Sequence, residues 1–273
     1  MRSSAQRHAF AVAEFPKRLE AAVTRRPVFP LADVRSVADD GDEGTFCTTC
    51  AFSNACLEEG VDKRELRELH VLVDHVGPLA AGEHVFRKGD PFDAIAAVRA
   101  GTVKTYVNDP EGNERVLGFH LPGEVIGLDG VDGERYPCNA IALDTVMLCR
   151  FSFPRMSALA ARLPGLQHQL FRLMSRNIGT AIRLGNDATA DQRMAAFLLG
   201  LSERLSARGF SATRFHLTMS RTDIGNHLRL APETVSRVLK RFQDDGLVEL
   251  ERREVELRGI EALKALAAPI LST

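Results

Sequence analysis

TMSRTDIGNHLRLAPETVSRVLKRFQDDGLVELERREVEL, residues 218–257, carries the strongest local signal in this 273-residue chain. Ser220-Arg221-Thr222-Asp223 has the S-x-x-D form of a capping box, so a helix begins there. Ile224 and Leu228 are its inward residues. Arg229-Leu230-Ala231 forms the turn, and Pro232 stands where proline is tolerated, in the first turn of a second helix. In that helix Val235, Val238, Leu239 and Phe242 make an i, i+3, i+4, i+7 apolar stripe. Glu233, Ser236, Arg237 and Lys240 occupy the opposite face. Gly246 ends the element, and LVELERREVEL alternates like a small hairpin with Arg252 and Arg253 near its tip. Two short helices about a tight turn, followed by a wing, are the parts of a winged helix–turn–helix.

Charge agrees with that reading. The whole chain has a formal net charge of −1, yet Arg214 to Arg241 holds six Lys/Arg against two Asp/Glu, a local excess of +4. A second helix of this kind fits the major groove of double-stranded DNA, where Arg donates twice to guanine and Glu accepts from cytosine. Arg237, Glu233, Ser236, Lys240 and the neighbouring Thr234 are the candidate contacts, with Arg221 as a phosphate contact.

Working back from this unit, PGLQHQLFRLMSRNIGTAIRLGNDATADQ reads as a helix from about Leu166 to Ala190. Phe171, Met174, Ile178, Ala181, Gly185 and Ala188 recur in steps of three and four, a heptad seam that is large at its start and small at its end. Such a seam either packs on its own domain or meets a second copy, and the small residues favour close approach in a homodimer. From Gly77 to about Phe153 the texture changes. Short β-branched or aromatic runs (HVF, AIAAVRA, TVKTYV, RVLGFH, AIALDTVMLCRF) alternate with glycine turns, which argues for an all-β barrel or sandwich. NDPEGNE, 108–114, is a hairpin turn. VDKRELRELHVLVDHV, 61–76, has Leu66, Leu69 and Val73 at helical spacing and reads as a short amphipathic helix.

CTTCAFSNAC, 47–56, places three of the five cysteines within ten residues. The chain is too long for a disulfide mini-protein, and its start lacks the apolar core of a secretion signal, so a reducing cytoplasmic compartment is expected. There, clustered thiols bind metal or act in redox chemistry. The residues alone leave zinc, an iron–sulfur cluster and uncoupled thiols open. No apolar run approaches a membrane span. No Walker A loop, G-x-S-x-G, H-E-x-x-H or G-x-G-x-x-G is present, and Asp39-Asp40 and Asp244-Asp245 read as solvated turns, so an enzyme is not expected.

A β-barrel, a heptad helix and a winged helix–turn–helix in that order resemble the Crp/Fnr family of bacterial transcription regulators, over roughly residues 47–265. The match to the Fnr branch rests on CTTCAFSNAC, FRKGDPFDAIAAVRAGTVKTY, GFHLPGEVIGLD, RLMSRNIG and LTMSRTDIGNHLRLAPETVSRVLKRFQ. The resemblance implies an α+β fold: an N-terminal β-roll of the cyclic-nucleotide-binding jelly-roll type, a long dimerisation helix and a C-terminal winged helix–turn–helix. It implies an extension at 1–46, an iron–sulfur loop plus β-roll at 47–163, the dimer helix at 164–190 and the DNA-binding domain at 191–273. It further implies an oxygen-responsive activator that recruits RNA polymerase at TTGAT-like inverted repeats, with Glu233, Ser236 and Arg237 at base-reading positions.

The branch's sensor is a 4Fe-4S cluster on four thiolates. Cys47, Cys50 and Cys56 look like three of its ligands, and the T-x-M-x-C setting of the fourth falls on Cys149, leaving Cys138 as a small half-buried residue. A structural zinc site, or another signal such as redox change or nitric oxide, is the alternative. The Crp branch holds a cyclic nucleotide with a Gly-Glu-Leu stretch and an Arg-Ser pair. Here Leu128 replaces the acid and Tyr136-Pro137 follow Arg135, so no cyclic nucleotide is expected. Two departures stand out: a longer extension before Cys47, and Ala181 where family members often carry an acidic seam residue.

Overall fold

Period-two apolar patterning between glycine turns builds two sheets that face each other. The computed structural model describes residues 72–183 and 188–271, with 176–183 described by backbone alone. Strands β1 (Val73–Leu79), β2 (His84–Phe86), β3 (Ala94–Ala100), β4 (Val103–Asn108), β5 (Glu114–His120), β6 (Val125–Ile126), β7 (Asn139–Ala142) and β8 (Val146–Ser152) form this roll. One sheet has the order β1-β8-β3-β6 and the other β2-β7-β4-β5, with every pairing antiparallel. The predicted hairpin is present: Asp109 Oδ1 accepts from the Asn113 amide at 2.8 Å, and Gly112 takes φ 87°, a backbone region that glycine enters at no steric cost.

Strand β3 is buried from Ala94 to Val98 instead of alternating. Both of its faces are covered, because Ile95 and Ala97 pack with two helices that follow the roll. These are α1 (Phe153–Ala160) and α2 (Pro164–Arg183), which contribute Met156, Leu159 and Leu166 to that core, with Leu163 from the link between them. A 17-residue helix, α3 (Ala190–Ser206), leads to β9 (Arg214–His216), α4 (Arg221–Leu228), α5 (Pro232–Asp244), β10 (Val248–Glu251), β11 (Glu254–Leu257) and α6 (Ile260–Leu271).

Three expectations need correction. Val73 to Val76 are not helical: they belong to β1, paired with β8 in the register Val73↔Phe151 to Val76↔Leu148. Backbone pairing to a neighbouring strand overrides the local period there; residues 61–71 lie outside the described part. The helix expected from about Leu166 to Ala190 is not continuous. Ala188 and Thr189 are extended, and Thr189 caps α3, its hydroxyl accepting from the Gln192 amide while the Gln192 side chain accepts from the Thr189 amide. The domain boundary at 190/191 therefore falls inside the first turn of α3, and the T-A-D-Q capping box that marks it resembles the S-R-T-D box at α4. Finally, AIALDTVMLCRF is two strands in different sheets, separated at Leu143–Thr145.

The second core does not stop at the DNA-binding half. Val116, Phe119 and Leu121 of the roll share one cluster with Leu198 of α3, Ile224 and Leu228 of α4, and Val235, Leu239 and Phe242 of α5. Two imidazoles are enclosed in this contact. His120 bonds to Thr105 Oγ1 at 3.0 Å, and burial pushes its pKa down to about 4. His227 of α4, edge-on to Phe119 with ring centres 5.2 Å apart, is likewise lowered, chiefly by burial, and its Nδ1 has no hydrogen-bond partner among the described residues. Both are neutral when folded and take up protons first when unfolded. For His120, stability should therefore be full above about pH 6.5 and fall as the pH drops toward about 4, by at most about 1.4 kcal/mol per pH unit, with His227 acting in the same direction. Urea melts across this range should show that slope, and His120→Gln should flatten it; an unchanged slope would remove His120 from the account.

Candidate nucleic-acid interface

Helix α4 begins as its sequence dictates. Ser220 Oγ accepts from the Asp223 amide at 3.0 Å, and Asp223 Oδ2 accepts from the Ser220 amide at 3.1 Å. It ends where Arg229 takes φ 56° and the Leu230 amide turns back to the Gly225 carbonyl at 2.8 Å. Pro232 occupies the first turn of α5. Val235, Val238, Leu239 and Phe242 are each no more than 2% exposed, while Glu233, Ser236, Arg237 and Lys240 are exposed on the other side. The apolar stripe thus holds α5 against α4 and α3, and the polar face is presented outward as expected.

The outward side chains are lightly held. Arg237 Nη2 donates to Thr234 Oγ1 at 3.1 Å, Ser236 Oγ donates to the Pro232 carbonyl, and Lys240 pairs with Asp244 at 2.7 Å on an exposed surface. An exposed i, i+4 pair of this kind contributes only about 0.3–0.5 kcal/mol, so Lys240 can exchange it for a phosphate readily. Thr234 is half-buried and orients Arg237 more than it faces solvent.

The wing is present as β10 and β11, joined at Arg252, which takes φ 56° at the tip. Sequence reading missed its third strand: β9 pairs with β11 in the register Phe215↔Val255. It also missed the relation between Arg221 and Arg253. Arg221, in the first turn of α4, is half-buried, and its pKa is lowered by burial and then by the positive charge of Arg253. The positive charge of Arg253 adds to that of Arg221 at the start of α4, an end of a helix where negative charge is favoured.

The cysteines separate by environment. Cys149 is half-buried on β8, directly across from His75 on β1, with Sγ 3.9 Å from Nδ1. Cys138 is not half-buried as expected but fully buried; its thiol donates to Asp129 Oδ2 at 3.2 Å, and burial followed by that carboxylate pushes its pKa far up. A thiolate is therefore disfavoured at Cys138. Cys47, Cys50 and Cys56 lie outside the described residues. On the seam of α2, Phe171 is 61% and Met174 39% exposed, an apolar pair left uncovered in one chain. Ile178 and Ala181 fall in the backbone-only stretch of α2, and Gly185 lies outside the described residues.

Comparison with known proteins follows this division. Residues 192–266 match the Crp-like helix-turn-helix domain, and residues 77–162 match the cyclic nucleotide-binding domain. The chain is 46% identical over 224 residues to the transcriptional activator protein anr of Pseudomonas aeruginosa, covering 81% of this chain and 92% of that one. It is 37% identical to the fumarate and nitrate reduction regulatory protein of Salmonella typhi, covering 81% of this chain and 90% of that one. Among solved structures, FixK2 from Bradyrhizobium japonicum superposes with a TM-score of 0.64 at 26% identity, covering 71% of this chain and 96% of that one.

The tight turn between α4 and α5 depends on Gly225. A Cβ there would stand 2.6 Å from the Leu230 carbonyl oxygen and 3.4 Å from the Pro232 nitrogen. Alanine in place of a helical glycine gains about 1 kcal/mol of propensity, whereas crowding against backbone costs about 1–3 kcal/mol. Gly225→Ala should therefore lose up to about 2 kcal/mol in a thermal or urea melt. A variant as stable as the parent would show that the turn can relax.

Proposed function

Because the chain belongs to the Crp/Fnr family of transcription regulators, and is a DNA-binding protein and not an enzyme, we propose that it is an oxygen-responsive activator of anaerobic genes. In this reading a 4Fe-4S cluster on Cys47, Cys50, Cys56 and Cys149 governs dimerisation and binding to TTGAT-like inverted repeats. The observation that carries it is the contrast between the two described cysteines. Cys149 is accessible on the outer strand pair, next to the strand that continues from the cysteine loop, whereas Cys138 is sealed beside a carboxylate. This contrast supports Cys149 over Cys138 as the fourth ligand, since the thiolate is disfavoured beside Asp129. When bound, the cluster supplies bonds that tie the loop to β8 and that oxygen can break.

The chain's own residues then do the rest. β8 runs directly into α1 and, after it, α2, and the core of Ile95, Phe151, Met156, Leu159 and Leu166 makes strand and helices move together. A change in how β8 is held is felt at the base of α2, whose Phe171 and Met174 are available to a second copy. Two copies related by a two-fold axis present two α5 helices to successive major grooves. Glu233, Ser236 and Arg237 read base edges, Thr234 steadies Arg237, and Lys240, Arg221 and Arg253 take phosphates. The exposed hairpin at 108–114 is a surface for RNA polymerase. Among the described residues no helix is long and apolar enough to cross a membrane, and a cytoplasmic site of action follows from the reading.

A cyclic nucleotide is not part of this reading. In the stretch where the Crp branch holds one, Tyr136 stacks on Phe86 with ring centres 3.9 Å apart, meets Phe92 edge-on, and donates to the Ala94 carbonyl at 2.6 Å. Leu128 is buried and Arg135 is turned outward onto the Gly89 carbonyl. An aromatic stack and an apolar side chain occupy the positions that would otherwise meet ribose and phosphate. Zinc is the second reading, because Cys149 and His75 lie side by side and both are zinc ligand types.

Protein purified without oxygen should contain about four irons and four acid-labile sulfides per chain, with a broad visible band that changes in air. Cys149→Ser should lose them and Cys138→Ser should keep them; one zinc without sulfide would replace the proposed signal. Arg237→Ala should weaken binding to the inverted repeat by about 1–3 kcal/mol and relax specificity at one guanine. Equal loss on specific and non-specific DNA would reassign Arg237 to the phosphates.

A further inference from the structure

The helix–turn–helix is fastened to its own β-roll by polar bonds, partly buried, that its DNA contacts do not use. Lys104 projects from β4 with 9% of its side chain exposed. Its Nζ lies 2.7 Å from Glu114 Oε2 on the adjacent strand and 2.8 Å from Asp223 Oδ1 in α4. Asp223 is therefore shared: one oxygen completes the capping box that starts α4, and the other holds the roll. Asn226, one turn on, bonds the outer edge of β5, its Oδ1 accepting from the Val116 amide at 2.8 Å and its Nδ2 donating to the Glu114 carbonyl. β5 is the terminal strand of its sheet, so a side-chain amide of the DNA-binding domain takes the place of a neighbouring strand.

A second fastening lies at the other end of the contact. Glu124 accepts from Arg204 through both its oxygens, at 2.8 and 2.6 Å, and from Arg208 at 2.9 Å. Between the two sit Phe119, Val116 and Leu121 against Leu198, Ile224 and Leu228. None of these groups belongs to the outward face of α5. The contact leaves Glu233, Ser236, Arg237 and Lys240 exposed, so it orients the reading head without covering it.

We propose that Lys104 and Asn226 are positioning residues for DNA recognition, which hold each recognition helix at a fixed place on its own β-roll and so set the distance and angle between the two heads of a dimer. The inference rests on the two-headed reading above. Its physical content is effective concentration: a second half-site is bound with advantage only when geometry places the second head on it. A head free to swing on its tether would still bind a half-site, would gain less from the second, and would tolerate wrong spacing better. Changing the spacer by one base pair moves a half-site by about 3.4 Å and rotates it by about 35°, a displacement that a fixed head cannot follow.

The test uses the full chain in its anaerobic DNA-binding state, with Lys104→Met, Asn226→Ala and the rescue variant Lys104→Arg. Anisotropy titrations would compare a single TTGAT half-site with inverted repeats at the natural spacing and at one and two base pairs more or less. Wild type and Lys104→Arg should prefer the natural repeat steeply. Lys104→Met and Asn226→Ala should keep half-site affinity, lose about tenfold on the natural repeat, and show a flatter dependence on spacing. Variants with the wild-type spacing profile would overturn the proposal while leaving two-headed binding intact. Variants that lose half-site and full-repeat affinity in parallel, with lowered melting temperature, would overturn it in favour of a purely structural role. Wild type binding half-site and repeat alike would overturn the two-headed reading itself, and the proposal with it.

Discussion

The edge strand β5 carries the constraint on which the arrangement depends. An edge strand exposes unpaired amides and carbonyls, and proteins cover or blunt such edges. Here Asn226 covers part of it from the helix–turn–helix, and the apolar residues of the same strand, Val116 and Phe119, enter a core shared with three helices. Sensor domain and reading head therefore have no independent surfaces at this point. A mostly buried lysine with two carboxylates and a glutamate with two arginines complete the contact. Removing one partner from such a group leaves the other's charge partly buried and less compensated, which costs stability. That asymmetry favours one relative orientation strongly over its neighbours.

The other end of the roll is built for change. β1 and β8 pair on the outer side of the same sheet whose β3 packs on α1 and α2. Cys149 stands in that pair facing His75, and Arg150 beside it reaches Asp93 at 2.7 Å and Asp74 at 3.2 Å. A tie made or broken at β8 is therefore applied close to the helices that bear the exposed apolar seam. Cys149 on β8 and the helix–turn–helix contact at β5 lie in different sheets of one roll.

The contrast between Cys138 and Cys149 shows how environment divides equal residues. Both are small thiols of the roll, Cys149 on β8 and Cys138 in the bend before β7. Burial beside Asp129 holds one protonated, whereas the other lies in a strand pair that a loop can approach. The same logic separates the arginines. Arg241 is paired with Asp191 and Arg204 with Glu124, which occupies them structurally, while the positive charge of Arg253 acts on Arg221 at the start of α4.

The sequence by itself determined the helix–turn–helix, its cap, its wing hairpin and its outward face, because each is set by contacts three or four residues apart or by a strand alternation. The strands of the roll and the 108–114 hairpin were legible for the same reason. Local signals misled where long-range pairing decided the outcome. Val73 to Val76 carry a helical period but pair with residues more than seventy positions away, and the heptad rhythm past Gly185 continues on paper through a break that Thr189 imposes. Likewise no pattern in the sequence announces that Lys104 meets Asp223, that Asn226 caps β5, or that the charge of Arg253 acts on Arg221. Only the tertiary structure decided these, since each joins residues whose proximity exists only after two cores have closed on one another.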